Sequence, residues 1–421
     1  MNVMILGSGG REHALAWKIS QSDKLDKLYI LPGNAGTAEY GTNININPEF
    51  AAVGRKCIDY NIDMLVVGPE VLLVTGIKNF FNRLTAFHHI KVVGPDKAAA
   101  QLEGSKAFAK EFMGENNIPT AGYFPVTEKN KNEGMAFLNK QKAPFVLKAD
   151  GLAGGKGVLI CETKEEAEAS LDEMLSGKFG KAGNTVLIEE FLQGIEMSVF
   201  VLTDGRIYKI LPNAKDYKRV GEKDTGLNTG GMGAVSPVPF VDEELETKIK
   251  TRIIEPTIKG INKNNMKYQG FLYFGLMIVN GDPYVIEYNV RMGDPEAEAV
   301  LPRIKSDLVE HLYAACTNTL DGENIDIDSN STATVILTSG GYPEKYEKGK
   351  IITGIDKVKK SLVFHAGTTI DNSKLVTNGG RVLAVTSFGK TIKRALKKSY
   401  ASAKKIDFEK KYVRKDIGFD L

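Results

Sequence analysis

Apolar positions in the first hundred residues fall in short continuous runs separated by stretches of helical spacing. Residues 3–6, 28–31, 64–67 and 91–93 read as strands, and 12–20 and 76–84 as helices. Each strand ends in a turn signal: Gly7-Ser8-Gly9-Gly10, Pro32-Gly33-Asn34, Gly68-Pro69-Glu70 and Gly94-Pro95-Asp96. This alternation predicts an N-terminal doubly wound parallel α/β domain, whose ligands bind beyond the carboxyl ends of the strands. A second segment predicts a helix over 105–116, strands at 145–148, 158–161 and 185–188, and an acidic helix over 165–175. Further on, the apolar run 271–279, the turn Asn280-Gly281-Asp282-Pro283 and the return Tyr284-Val285-Ile286 predict a β-hairpin. From about residue 331 the pattern is β-rich. It ends in an amphipathic helix over 390–405, with Ile392, Leu396, Tyr400 and Ala403 on its packed side and solvated lysines opposite. The fold class is therefore α/β and α+β multidomain.

The return strand of the hairpin carries the densest chemistry. Side chains alternate along a strand, so Ile286 and Tyr288 are expected on one face and Glu287, Asn289 and Arg291 on the other. A carboxylate beside an amide oxygen suits a hard cation such as Mg²⁺, and Arg291 is placed to hold an anionic oxygen. The segment Lys148-Ala149-Asp150-Gly151-Leu152-Ala153-Gly154-Gly155-Lys156-Gly157-Val158 joins two strands through four glycines. It is not a Walker A loop, because the spacing differs and no Ser or Thr follows Lys156. It reads as a flap that covers phosphates with backbone N–H groups, with the Lys148 ammonium aimed at the same anion. A plain hairpin flanked by surface lysines is the alternative.

Gly7-Ser8-Gly9-Gly10-Arg11-Glu12-His13 fails as a dinucleotide fingerprint. Glu12 stands at the third glycine, and the second strand ends in Pro32-Gly33-Asn34 instead of an acid for a ribose hydroxyl. A tight turn would need only the glycines. Arg11 and His13 in the first helical turn favour an anion site at the helix N-terminus. Glu189 and Glu190 close a strand as the chain leaves the flap segment; they are either solvated or an adenine and ribose hinge, with Glu196 a second candidate. Asp216-Tyr217-Lys218-Arg219 and the polar loop 224–233 are expected to bind a ligand, disorder being the alternative.

Composition narrows the classes. At 421 residues there is material for two to four domains, and 42% hydrophobic with 25% charged residues is ordinary for a globular chain. A net charge of +3 implies neither a nucleic-acid nor a membrane partner. No apolar run reaches a membrane span and no signal sequence precedes the first strand. Three scattered cysteines argue against a disulfide framework or zinc site, and five histidines show no ligand spacing, so a cytoplasmic location is expected.

The motifs GSGGREHALAW (7–17), PGNAGT (32–37), VGPE (67–70), QLEGSKAF (101–108), KADGLAGGKGV (148–158), IEEFL (188–192), KRVGEKDTGLNTGGMGA (218–234), GFLYFGLM (270–277), EYNVRMGDPEAE (287–298), FHAGT (364–368), TNGGRVL (377–383) and RKDIG (414–418) occur in that order. Together they resemble the glycinamide ribonucleotide synthetase (phosphoribosylamine–glycine ligase) family of ATP-grasp enzymes over the whole chain. The resemblance implies an N-terminal domain (1–104), an ATP-grasp lid (105–190), an ATP-grasp body (191–326) and a C-terminal β-rich domain (327–421). It implies that ATP, glycine and 5-phosphoribosylamine give glycinamide ribonucleotide, ADP and phosphate, through glycyl phosphate, in a monomer. Another ATP-grasp carboxylate–amine ligase, or a nucleotide-binding sensor, is the alternative.

Position by position, the resemblance puts ATP on Lys106, Lys148, Gly151, Gly154, Gly155, Lys156, Gly157, Val158, Glu189, Glu190 and Leu192, with Glu196 at its ribose. Mg²⁺ or Mn²⁺ falls to Glu287 and Asn289. The reacting carboxylate falls to Arg291, Lys218, Arg219, Thr229, Gly230 and Gly231, with Lys148, Asp216 and Arg291 catalytic. The ribose phosphate falls either to Gly9, Gly10 and Arg11 or to the turn with Asn34, Gly36 and Thr37. Two places depart from the family pattern. Gly154 stands where alanine is frequent, and Ala214-Lys215-Asp216-Tyr217 where Ser-Gln-Asp-His is usual.

Overall fold

The structure, a computed structural model, describes residues 1–152 and 157–421. Gly154, Gly155 and Lys156 of the expected ATP set lie outside the described residues.

Five parallel strands open the chain: β1 (Asn2–Gly7), β2 (Lys27–Pro32), β3 (Thr42–Asn43), β4 (Met64–Val67) and β5 (Lys91–Pro95), in the order β3-β2-β1-β4-β5. Their apolar runs are buried on both faces, as a helix-covered parallel sheet requires: Met4 and Leu6 enter one core, Val3 and Ile5 the other. The order reverses at β1, so a crevice opens at the carboxyl ends of β1 and β4. The Glu12 side chain fills it. Its Oε2 accepts from Gly9 N at 2.6 Å, and a Cβ on Gly7 would stand 2.5 Å from its Cδ. The helix expected over 76–84 is present as Ile77–Arg83, and a further short helix, Glu70–Thr75, precedes it across Gly76 at φ 99°. Helix Phe50–Asp59, not among the expected elements, buries Val53, Gly54 and Cys57 on one face.

A small antiparallel sheet follows: β6 (Tyr123–Val126), β7 (Phe145–Ala149), β8 (Val158–Cys161) and β9 (Val186–Glu189), ordered β6-β9-β7-β8. It has its own core around Leu147, Leu171 and Ile188. Helix Lys106–Glu115, which a division at 105 assigns to this unit, packs instead in the central core through Ala109, Phe112 and Met113.

The chain then runs through β10 (Ile195–Thr203), β11 (Tyr208–Ile210), β12 (Lys215–Asp216), the hairpin β13 (Arg219–Gly221) and β14 (Thr225–Asn228), β15 (Gly233–Ser236), β16 (Tyr268–Val279) and β17 (Asp282–Asn289). β16 pairs with β10, with β17 and, through Tyr268 and Gln269, with β5. One nine-stranded sheet therefore runs from the first domain into the body. The buried Lys78 ammonium pins that junction, donating to Val92 O, Gly94 O and Gln269 Oε1.

Last come β18 (Ser331–Thr338), β19 (Leu362–His365), β20 (Thr368–Asp371), β21 (Lys374–Thr377) and β22 (Arg381–Gly389). A five-stranded sheet is ordered β12-β15-β18-β22-β19, so a boundary at 327 cuts through it. Helix Ile392–Ala403 packs Ile392, Ala395, Leu396 and Tyr400 as its spacing implies. No helix among the described residues is long and apolar enough to cross a membrane.

Candidate active site

Strand β17 departs from strict alternation. A bulge between Gly275 and Leu276 of β16 leaves Ile286 unpaired. Val285 and Tyr288 both enter the core, and Ile286 lies on the Glu287 side: a Cβ on Gly275 would meet Glu287 Cγ at 2.9 Å and Ile286 Cγ1 at 3.4 Å. Glu287 and Asn289 still share a face, because the bulge precedes both. Glu287 is 43% exposed and stands 3.7 Å from Lys218 Nζ. Among the described residues no group of three or more His, Cys, Asp or Glu forms a complete metal cage. A carboxylate and an amide nevertheless fit a hard cation that takes its remaining ligands from phosphate and water. Arg291 is held from the first domain: its Nη2 donates to Glu103 Oε1 at 2.6 Å and its Nε lies 3.4 Å from Glu70 Oε2, while Glu103 Oε2 accepts from Val290 N.

At the mouth of the small sheet, Glu189 is buried and not solvated. Its Oε2 is buried between Lys148 Nζ (2.9 Å) and Lys110 Nζ (3.0 Å). Burial pulls this carboxyl upward, but the two lysines outweigh it and hold it below its ordinary range. Lys106 donates to Ala149 O and Gly151 O, holding the base of the glycine loop. Gly157 O accepts from Ala149 N, and Val158 pairs with Lys148. Glu190 holds Gly122 through backbone and side chain, and Leu192 is partly buried where the chain leaves β9.

Lys218 gathers the acids. It pairs with Glu196 at 3.0 Å and holds that carboxyl below its usual range. Asp216 is buried nearby, and burial holds its carboxyl above the usual range despite Lys218. Glu296 accepts from Ser198 Oγ at 3.2 Å; burial and then Asp216 raise it to about 7. Sequence reading missed Glu296, whose signal was only a second acid after Asp294. Of the unusual neighbours of Asp216, Tyr217 donates to Asp420 Oδ1 and Ala214 joins the core behind β10, whereas Lys215 bridges the two sides, pairing with Asp420 and donating to Glu196 O. Arg219 anchors its own hairpin through Gly226 O and is not brought to the cluster.

A cavity of about 330 Å³ opens between the first and last domains. Ser8, Gly9, Gly33 and Asn34 meet Tyr342, Thr368, Asn378 and Arg381 there, with Asp294 between. Of the two predicted anion sites only Gly9 and Asn34 line it, and Arg11, Gly36 and Thr37 do not. Arg11 is 10% exposed and is consumed by Glu12 Oε1 and Met292 O. His13 accepts from His365 N at 2.7 Å, and burial followed by His365 depresses it to about 3, so it is a neutral packed ring. Asn34 Oδ1 accepts from Gly36 N and Thr37 N, closing that turn on itself, and Gly36 packs under His13 and His365. Gly10 packs over Glu298. Thr229 Oγ1 closes onto Lys218 O and accepts from Gly231 N, and the carbonyl of Gly230 accepts from Arg381.

A lid-like antiparallel sheet over a sheet-and-helix body, with lysines at the lid and oxygen donors on the facing strand, is the arrangement of the ATP-grasp class. Family models of phosphoribosylglycinamide synthetase match the chain in three consecutive parts: the N domain at residues 1–103, the ATP-grasp (A) domain at 104–297 and the C domain at 332–420. The phosphoribosylamine–glycine ligase of Haemophilus influenzae is 46% identical, over 100% of this chain and 98% of that protein. That of Fusobacterium nucleatum is 45% identical, over 99% and 98%. The crystal structure of phosphoribosylamine–glycine ligase from Thermotoga maritima superposes with a TM-score of 0.86 at 38% identity, covering 99% of this chain and all of that one. The chain belongs to the phosphoribosylglycinamide synthetase family.

Proposed function

We infer that the chain ligates glycine to 5-phosphoribosylamine, giving glycinamide ribonucleotide, ADP and phosphate, a step of de novo purine biosynthesis. The position of segment 291–294 carries this reading. Arg291 follows two residues beyond the end of the strand that carries Glu287 and Asn289, outside the expected alternation, and three residues later Asp294 lines the cavity between the outer domains. One short loop thus separates a phosphoryl-handling side from a second substrate's cavity.

A carboxylate is a poor acyl donor, so a glycine oxygen first attacks the γ-phosphorus of ATP and the bond to ADP breaks. The amine of phosphoribosylamine then attacks the acyl carbon of glycyl phosphate, phosphate leaves, and the nitrogen gives up one proton. Both steps need alignment and charge neutralisation more than a side-chain nucleophile. Lys148, Lys106 and the glycine loop 151–158 hold the triphosphate, Glu189, Glu190 and Leu192 the adenine end, and Glu196 the ribose. Arg291, Lys218 and Thr229–Gly231 hold the glycyl carboxylate, with Asp216 behind Lys218. Glu287 and Asn289 would hold Mg²⁺ or Mn²⁺, which when bound supplies charge neutralisation on the phosphates. These residues all come from one chain, so the monomer is proposed to be active, and its free buried cysteines suit a reducing cytoplasm.

ADP release should require glycine and phosphoribosylamine together. ADP formation with neither present, or equal turnover with another acid and amine, would overturn the assignment.

A further inference from the structure

Phosphoribosylamine ends in a phosphate, and the cavity must supply donors for it. Apart from the exposed Ser8, which can offer only neutral donors, the candidates of the first domain are spent. At the first turn Gly9 N donates to Glu12, Arg11 N to Asp294, and the Arg11 guanidinium to Glu12 and Met292 O. At the second, Gly33 N donates to Gly7 O, Asn34 N to Thr37 Oγ1, and Gly36 N and Thr37 N to Asn34 Oδ1. His13 is neutral and turned inward. From the last domain, the backbone N–H groups of Ala366, Gly367, Thr368 and Asn378 all donate to carbonyls.

Arg381 differs. It is the only cation among the residues lining the cavity. Its Nη1 donates to Gly230 O (2.6 Å) and Asp294 O (2.7 Å), and its Nη2 pairs with Asp294 Oδ1 (3.0 Å). Its Nε makes no hydrogen bond among the described residues, nor does the side-chain amide of Asn378, which lines the same cavity. Asp294 repels a phosphate and suits an amine, so the phosphate approaches Arg381 from the side away from that carboxylate. The arginine also packs against the loop 229–231: a Cβ on Gly230 would stand 2.9 Å from Arg381 Cζ.

We propose that Arg381, assisted by Asn378, anchors the sugar phosphate of the second substrate, leaving the amine directed towards Asp294 and the loop 291–294. This rests on the proposed ligase reaction and assigns the phosphate contact to the last domain instead of the first. The fork of an arginine matches a phosphate oxygen pair, which a lysine cannot reproduce.

The test compares Arg381→Met, Arg381→Lys and Asn378→Ala with the unmodified protein, supplying phosphoribosylamine from ribose 5-phosphate and ammonia. For Arg381→Met the KM for phosphoribosylamine should rise about 30-fold or more, with Arg381→Lys recovering only part and Asn378→Ala losing several-fold. The KM values for ATP and glycine should stay within about twofold in Asn378→Ala, whose side chain makes no hydrogen bond to the loop 229–231. Calorimetry should show ribose 5-phosphate binding weakened in both Arg381→Met and Asn378→Ala while an ATP analogue binds normally. Unchanged phosphoribosylamine KM in folded Arg381→Met and Asn378→Ala, or a parallel rise for all three substrates in Asn378→Ala, would overturn the anchor. Failure of the unmodified protein to use phosphoribosylamine at all would instead overturn the ligase reading.

Discussion

Arg291 shows how much of a residue's role depends on its partners. Its guanidinium is oriented by Glu103 and Glu70, two acids from the first domain, and a charge fixed in this way costs no reorganisation when a phosphoryl group transfers. Replacing Arg291 by Ala should lower kcat/KM about 100-fold or more with an unchanged far-ultraviolet dichroism spectrum; normal turnover would remove it from the mechanism. Glu296 suggests a second measurement. Burial, then Asp216, hold its carboxyl near 7, so the Asp216–Glu296 pair should place an ionisation near neutral pH in the kcat/KM profile. Glu296→Gln should abolish that inflection, and its persistence would assign it elsewhere. Residue types at 287, 289 and 291 were legible because the chemistry follows from the functional group and local spacing. The contacts of Arg11 and His13 were not legible, because their partners Met292 and His365 lie 281 and 352 positions away.

Among elements, β12 is instructive because it is two residues long and serves two sides. Asp216 faces the acid cluster and Tyr217 points to Asp420, while Lys215 reaches both Asp420 and Glu196 O, so of the two buried departures that flank Asp216 only Tyr217 lies wholly on the far side. Tyr217→Phe should therefore cost about 1 kcal/mol in a urea titration, through loss of one buried hydrogen bond, with kcat unchanged. Asp216→Asn should show the reverse, a collapse of turnover at near-normal stability. A kcat loss in Tyr217→Phe would contradict this division of faces. The bulge in β17 could not be read from sequence, because apolar residues at 285, 286 and 288 fit either phase of a strand, and only the pairing with β16 selects one.

At the scale of the molecule, the first and last domains meet through two buried neutral histidines. Burial and His365 depress His13 to about 3, and burial depresses His365 to about 4. Both lie below the unfolded value of about 6.5. The unfolded chain therefore binds more protons between those limits. Stability contributed by these rings is full above pH 6.5 and is lost as pH falls towards 4, by up to about 1.4 kcal/mol per pH unit for each ring. Urea midpoints measured from pH 7.5 to 4.5 should fall on acidification, and less steeply in His13→Asn; an equal slope would mean that other groups control acid unfolding. The same interface encloses the cavity, so loosening it should raise the KM for phosphoribosylamine before that for ATP.

Sequence alone determined the alternating α/β start, the β16–β17 hairpin, the amphipathic last helix and the residue types of the phosphoryl-handling strand. All of these follow from periodicity, turn chemistry or side-chain functional groups within a few residues. Only the tertiary structure decided that the first sheet continues into the body, that β12 and β15 complete the last sheet, and that Glu189 is a buried counter-ion. It also decided that Arg381, and not Arg11, lines the cavity. These outcomes depend on contacts between distant segments, where burial and competing hydrogen-bond partners, not local pattern, set what a side chain can still do.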